Sequence, residues 1–206
     1  MKNIYSDDAF TGLEAAIVLI AFVVVAAVFS YVVLGAGFFT TQTAQATVHT
    51  GVAQASSSLE IVGNVMGVME SGHSAQLSFV NVSVALTAGG TGMDLTQMVV
   101  SYLDTAGGRN PNIAPQAADL ACGTMLSNTQ TDVNNLQWCV SQKINEVGGS
   151  SNNLLEPNEI WVLSIQTPDT AKINEKMTIN LQPAVGAVLP ITRTIPGALN
   201  PVQAIY

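Results

Sequence analysis

Few side chains in this sequence have the type and spacing to do chemistry. Its two histidines, His49 and His73, stand far upstream of its two cysteines, Cys122 and Cys139, and no Cys-x-x-Cys is present, so a zinc site is not expected. Glu156 and Glu159 are close enough to act as a carboxylate pair, but adjacent acids on a polar turn are ordinarily solvated. Asp94 and Asp104 could offer oxygen ligands to Ca²⁺, yet no loop has the required acidic spacing. Gly-x-Ser-x-Gly, a phosphate-cradling glycine loop and His-Glu-x-x-His are all missing. The expectation is a protein that is not an enzyme and that holds no cofactor or metal.

Three other groupings have non-catalytic chemistry. Cys122 and Cys139 could close a short loop by a disulfide in an oxidising space, and two free buried thiols fit the composition equally. Asn81-Val82-Ser83 is an N-glycosylation sequon, which makes Asn81 a candidate acceptor. Thr11 and Glu14 have the spacing of a capping box, in which hydroxyl and carboxylate each satisfy an amide of the first helical turn. Glu14 also admits a second role. A carboxylate at the edge of an apolar segment demands a cation if it is buried, and a chain cut before Phe10 would place a new α-amino group four residues away.

The element that positions Glu14 dominates the sequence. Ala15 to Phe39 carries no charged side chain and only one aliphatic hydroxyl, Ser30. This exceeds the roughly 20 residues that an α-helix needs to cross a bilayer. The run is apolar on all sides, so it requires lipid or other helices along its length. The opening MKNIYSDDA has one lysine and two aspartates, unlike a secretory signal peptide. The formal charge of −8, from 6 basic and 14 acidic residues, excludes nucleic acid as a partner, because phosphate binding needs clustered Lys and Arg.

Beyond Phe39 the residues Val48, Val52, Ala55, Leu59, Val62, Met66 and Met69 recur at alternating steps of four and three. This heptad stripe predicts that the helix continues, ending between Val62 and Gly72. From Ala75 the period becomes two. Strands are expected over Leu77 to Leu86, Met98 to Leu103, Leu136 to Gln142, Ile160 to Thr167, Met177 to Gln182 and Ala187 to Ile195, with Asn110 to Asn128 as a long loop. Leu155-Glu156-Pro157-Asn158-Glu159 is a turn before a strand, and Arg193 an exposed strand cation. The fold class is α+β: an apolar helix, then an antiparallel, immunoglobulin-like β-sandwich head.

The run Phe10-Thr11-Gly12-Leu13-Glu14-Ala15-Ala16-Ile17-Val18, the valine-rich helix and its Gly35-Ala36-Gly37-Phe38-Phe39 end closely resemble the N-terminus of the archaeal flagellins, or archaellins. They are also similar to the wider type IV pilin class in placing a glutamate five residues into the mature chain. Leu155-Glu156-Pro157-Asn158-Glu159 before the Ile160 strand and Gly186-Ala187 leading to Arg193-Thr194-Ile195-Pro196 look like elements near the C-terminus of archaellin heads. One position departs from the family: Asp7-Asp8 stand before Ala9, where a basic residue is usual.

The resemblance implies a leader of residues 1–9, removed between Ala9 and Phe10 by a prepilin-type peptidase. It implies a helix over 10–72, apolar over 10–39, and a head over 73–206. Function follows as the subunit of a helical filament for swimming, built of identical or paralogous copies, extracellular once assembled and held in the cell membrane before that. Phe10 and Glu14 would pair, and small residues Ala26, Ala27, Gly35 and Gly37 would let helices approach closely. The family is often N-glycosylated, which favours Asn81. The alternatives are an adhesive type IV pilin and a monomeric, membrane-anchored surface domain.

Overall fold

The computed structural model describes residues 5–56, 58–69, 76–90, 92–123, 125, 132–147 and 152–206, and within them all side chains but those of 5–11, 53, 55 and 56. The chain divides into two compact units, Met1–Thr50 and Gly51–Tyr206. Helix α1, Tyr5–Ser56, makes up the first and runs into the second. Its Leu, Ala, Ile and Val side chains bury no polar group, and between Gly12 and Val52 there is no proline to interrupt the ladder. At about 1.5 Å per residue its 52 residues span about 80 Å. Because α1 begins at Tyr5, Thr11 is interior to it, and a capping box at Thr11 belongs only to a chain cut before Phe10.

The helix ends earlier than the predicted 10–72. Three serines follow Ala55, and serine hydroxyls compete with the helical ladder for backbone groups. Val48 and Val52 of the heptad stripe lie on α1, but Leu59 begins strand β1 (Leu59–Ile61) and Met66 begins β2 (Met66–Val68). Gly63 between them takes a φ of +84°, a left-handed turn that a continuing helix cannot contain. Glycine at 67 is required by packing, since a Cβ there would sit 2.8 Å from Leu77 Cδ2. The stripe thus belongs to two elements, and His73 lies outside the described residues.

The head continues with β3 (Phe79–Leu86), β4 (Met93–Asp94), β5 (Val99–Asp104), β6 (Arg109–Pro115), β7 (Gln137–Ile144), β8 (Leu154–Leu155), β9 (Ile160–Gln166), β10 (Lys176–Gln182), β11 (Leu189–Thr194) and β12 (Val202–Ala204). One 10-stranded sheet follows the order β11-β10-β5-β6-β7-β9-β3-β2-β12, with β1 also paired to β3, and β4 pairs β8 separately. All these pairings are antiparallel except β6 with β7, which run parallel through Ala114 opposite Gln137 and Pro115 opposite Trp138. The two antiparallel halves are joined at that short seam, so the head is a mostly antiparallel β domain. Alternation along the strands makes the core. Val80, Val82 and Val84 of β3 and Trp161, Leu163 and Ile165 of β9 are fully buried and belong to one cluster with Val100, Ile179 and Leu181 from the other half.

The segment expected as a long loop contains β6. Pro111 and Pro115 withhold amide donors, which lowers the strand signal, but β6 pairs irregularly with β5 through a register shift and touches β7 over two residues only. Prolines fit a strand where the ladder is already broken.

Candidate assembly interface

Every described side chain of α1 from Gly12 to Val52 is exposed, although 15–39 carries no charge. Phe22, Tyr31 and Phe39 are each more than two-thirds exposed. A continuous apolar surface of this size is far beyond what single chains leave to water.

The threonines of the second half of the helix conceal their polarity. Thr40, Thr41, Thr43, Thr47 and Thr50 donate their hydroxyls to the carbonyls of Ala36, Gly37, Phe39, Thr43 and Ala46, at 2.7, 3.1, 2.9, 2.9 and 2.8 Å. Each hydroxyl proton is spent on the helix's own backbone, leaving the threonine methyl as the outward contact. The threonines past Phe39 can therefore be buried without orphaned hydroxyl protons, whereas the carboxamides of Gln42 and Gln45 and the imidazole of His49 stand exposed among them. Sequence reasoning misses this because it scores Thr as polar; the signal is its spacing from carbonyls one turn earlier.

Gly12, Gly35, Gly37 and Gly51 have open space where a Cβ would stand. Nothing within the chain requires glycine at these positions. Gly37 forms the floor of a shallow groove with Ser30 and Thr41, walled by Phe29 and Phe38. At about 100° per residue, Ala26 and Gly37 share one side of α1, while Gly35 lies on the roughly opposite side. The small residues thus serve more than one face. Glu14 is exposed on the first described turns, and the Phe10 side chain lies outside the described residues.

The head residues singled out by sequence fall into three places. Cys122 and Cys139 form a disulfide that packs with Phe79, Met125 and Val68 in a small cluster on the face of β3 opposite Val80. Asn81 is half-buried on the same face, in a strand paired on both edges, with its Oδ1 accepting from Ser164 Oγ at 2.8 Å. Arg193, on edge strand β11, is half-buried, and its guanidinium donates to the Thr192 carbonyl at 2.9 Å.

Glu156 and Glu159 depart from the solvated pair that sequence suggests. Glu156 to Glu159 is a turn closed by the Glu159 amide on the Glu156 carbonyl at 3.1 Å, with Pro157 second and Asn158 third at a φ of 74°. Glu159 is fully buried: its Oε1 accepts from the Val147 amide at 2.6 Å, and its Oε2 from the Glu156 amide and Trp161 Nε1, each at 3.0 Å. It is a structural staple holding two loops to β9. Asp94 caps a 3₁₀ turn through the Thr96 amide, and Asp104 accepts from Tyr102, Gly108 and Thr170. Among the described residues no group of three or more His, Cys, Asp or Glu is placed to hold a metal.

Comparison with known proteins gives this helix and β head a family. The model of the archaeal-type flagellin family matches residues 9–193. This chain belongs to the archaeal-type flagellin family. It is 36% identical over 210 residues to probable flagellin 1 of Archaeoglobus fulgidus, covering 100% of this chain and 98% of that one. Among solved structures it is similar to the archaeal flagellum of Methanospirillum hungatei strain JF1, with 30% identity, a TM-score of 0.62, and coverage of 94% of this chain and 98% of that one. A crystal structure of a flagellin from Methanocaldococcus jannaschii shares the fold at 17% identity, with a TM-score of 0.51 over 72% of this chain and 96% of that one. Within this archaellin family the expected antiparallel head and the N-terminal apolar helix both hold.

Proposed function

We propose that this archaellin is the structural subunit of an extracellular archaellum filament for swimming, polymerising through α1. The observation that carries this is the exposure of α1 from Gly12 to Val52, which only lipid or other helices can cover. Exchange of lipid for identical helices changes apolar exposure little, and contacts of that kind do not close, so an open helical filament results. In the membrane before assembly the 12–39 part is long enough to span.

Residues 1–9 are the leader, cut between Ala9 and Phe10 by a prepilin-type peptidase. The freed Phe10 amine then pairs with Glu14 of its own or an adjacent subunit, supplying the cation that a carboxylate needs when the helix is buried. Asn81 serves as a glycan acceptor only before the head folds, because its carboxamide is held against Ser164 afterwards. The test is Glu14→Ala in the full chain: filaments are lost while the head melts as in the parent. Normal filaments from that variant would refute the pairing.

A further inference from the structure

The first half of α1 is apolar all round, so its composition sets no side; the second half does. Apart from the threonines, whose hydroxyl protons go to the backbone, few side chains between Gly12 and Val52 keep a polar group free. Tyr31, Gln42, Gln45 and His49 are exposed and make no hydrogen bond among the described residues. Their successive separations of 11, 3 and 4 residues are close to three turns, one turn and one turn. They therefore form a stripe on one side of the helix, within about 60° of one another at about 100° per residue. Ser30 and Glu14 lie on either flank of this stripe, and Gln54 lies past Val52.

The opposite side carries an unbroken seam. Ala15, Phe22, Phe29, Gly37, Ala44 and Gly51 follow one another at steps of 7, 7, 8, 7 and 7, and the positions between them, such as Val33, Thr40 and Thr47, divide those steps into threes and fours. The 36 residues from Ala15 to Gly51 make ten such short steps, about 3.6 residues each, so the seam stays on one side of a straight helix along its whole length. Its only hydroxyls, those of Thr40 and Thr47, are donated to the Ala36 and Thr43 carbonyls. Burying a carboxamide or an imidazole against aliphatic neighbours without a partner is unfavourable, whereas the seam can be buried without that cost.

We infer that α1 has one fixed rotation in the filament: the seam from Ala15 to Gly51 is pressed against the α1 helices of other copies, and the stripe from Tyr31 to His49 is turned away from them, toward the enclosing heads and water. This rests on the filament reading above and adds which side of the helix is the interface. Phe29, Val33 and Gly37 of the seam line one groove, which an apolar side chain of a neighbouring α1 can enter. The polar stripe then acts as a specificity device. Any other rotation would bring unpartnered carboxamides against the neighbouring helices, and that cost selects one arrangement among the many that an all-apolar first half would allow.

The test compares two full-length double variants, each produced as the sole archaellin of the cell and each altered beyond the 12–39 part. A44Q/T47Q puts neutral carboxamides on the seam. Q45K/H49K puts two charges on the stripe, where long lysine stems keep their ammonium groups in water. The milder change is expected to yield at least about tenfold fewer filaments than the parent, and the harsher one to stay within about twofold of it. A reconstruction of parent filaments reads the same rotation if a variant misfolds: Ala44 and Thr47 should be nearest the α1 helices of other copies, and Gln45 and His49 nearest head residues. Loss of filaments from a folded Q45K/H49K, equal tolerance of both variants, or Gln45 and His49 bonded to a neighbouring α1 would overturn the inference while leaving the filament reading intact. Absence of parent filaments would instead sink that reading, and this inference with it.

Discussion

The Thr40 hydroxyl donates to the Ala36 carbonyl at 2.7 Å, and four further threonines repeat the relation down to Thr50. Their polarity is internal to the helix, so burial of these threonines in a bundle leaves no hydroxyl donor unsatisfied. Replacing Thr40, Thr43 and Thr47 together by Val is expected to leave filament number unchanged by electron microscopy. Thr47→Asp, which puts a charge on the same surface, should abolish filaments without changing the unfolding of the head.

A Cβ at Gly37 would meet nothing within 4 Å, and glycine weakens a helix interior by about 1 kcal/mol relative to alanine. Within the lone chain Gly37→Leu is therefore neutral or stabilising. Its expected effect is on assembly alone: fewer and less heat-resistant filaments, with helicity by circular dichroism at or above the parent's.

Much of this is legible in the sequence, and the failures have physical causes. The apolar run, and β3, β5, β7, β9, β10 and β11, follow from periods that one environment imposes along a whole element. The end of α1 escapes such reasoning because Leu59 and Met66 continue a stripe whose spacing is helical, although they pack in β1 and on β2 on either side of the Gly63 turn. β6 is hidden by Pro111 and Pro115. Glu159 reads as solvated because sequence shows its charge and not the three N–H groups that converge on it.

Those three donors make Glu159 sensitive to a nearly isosteric change. Glu159→Gln replaces one acceptor oxygen by an amide that faces another N–H, and should destabilise the head by about 1–3 kcal/mol. Both tryptophans, Trp138 and Trp161, lie in the head core, so intrinsic fluorescence of the full chain in detergent during denaturant unfolding reads this loss directly.

Burial, reinforced by the neighbouring Asp104 carboxylate, pushes the Tyr102 phenol far above its ordinary value. The folded head keeps this proton where the unfolded chain releases it, so the contribution is complete below about pH 10 and is lost as pH rises further, by about 1.4 kcal/mol per unit. Denaturant unfolding from pH 8 to 11.5 should show that decline. Tyr102→Phe should flatten it while lowering stability at neutral pH, because Asp104 loses a donor.

Cys122 and Cys139 are separated by 17 residues, and opening a loop of that size costs about 3 kcal/mol of stability in the chain-entropy account. Reduction by a thiol should lower the unfolding midpoint of the head accordingly and leave α1 helical. An unchanged midpoint on reduction would show that the packing of Phe79 and Met125 suffices there.

The reading of α1 as the polymerising element is tested most directly by cryo-electron microscopy of appendages sheared from cells whose sole archaellin is this chain. The reconstruction should show a core of α1 helices from neighbouring copies, buried from Phe10 to about Val52 and enclosed by β heads. Smooth cells, with the chain recovered from the membrane as single copies still carrying residues 1–9, would contradict it.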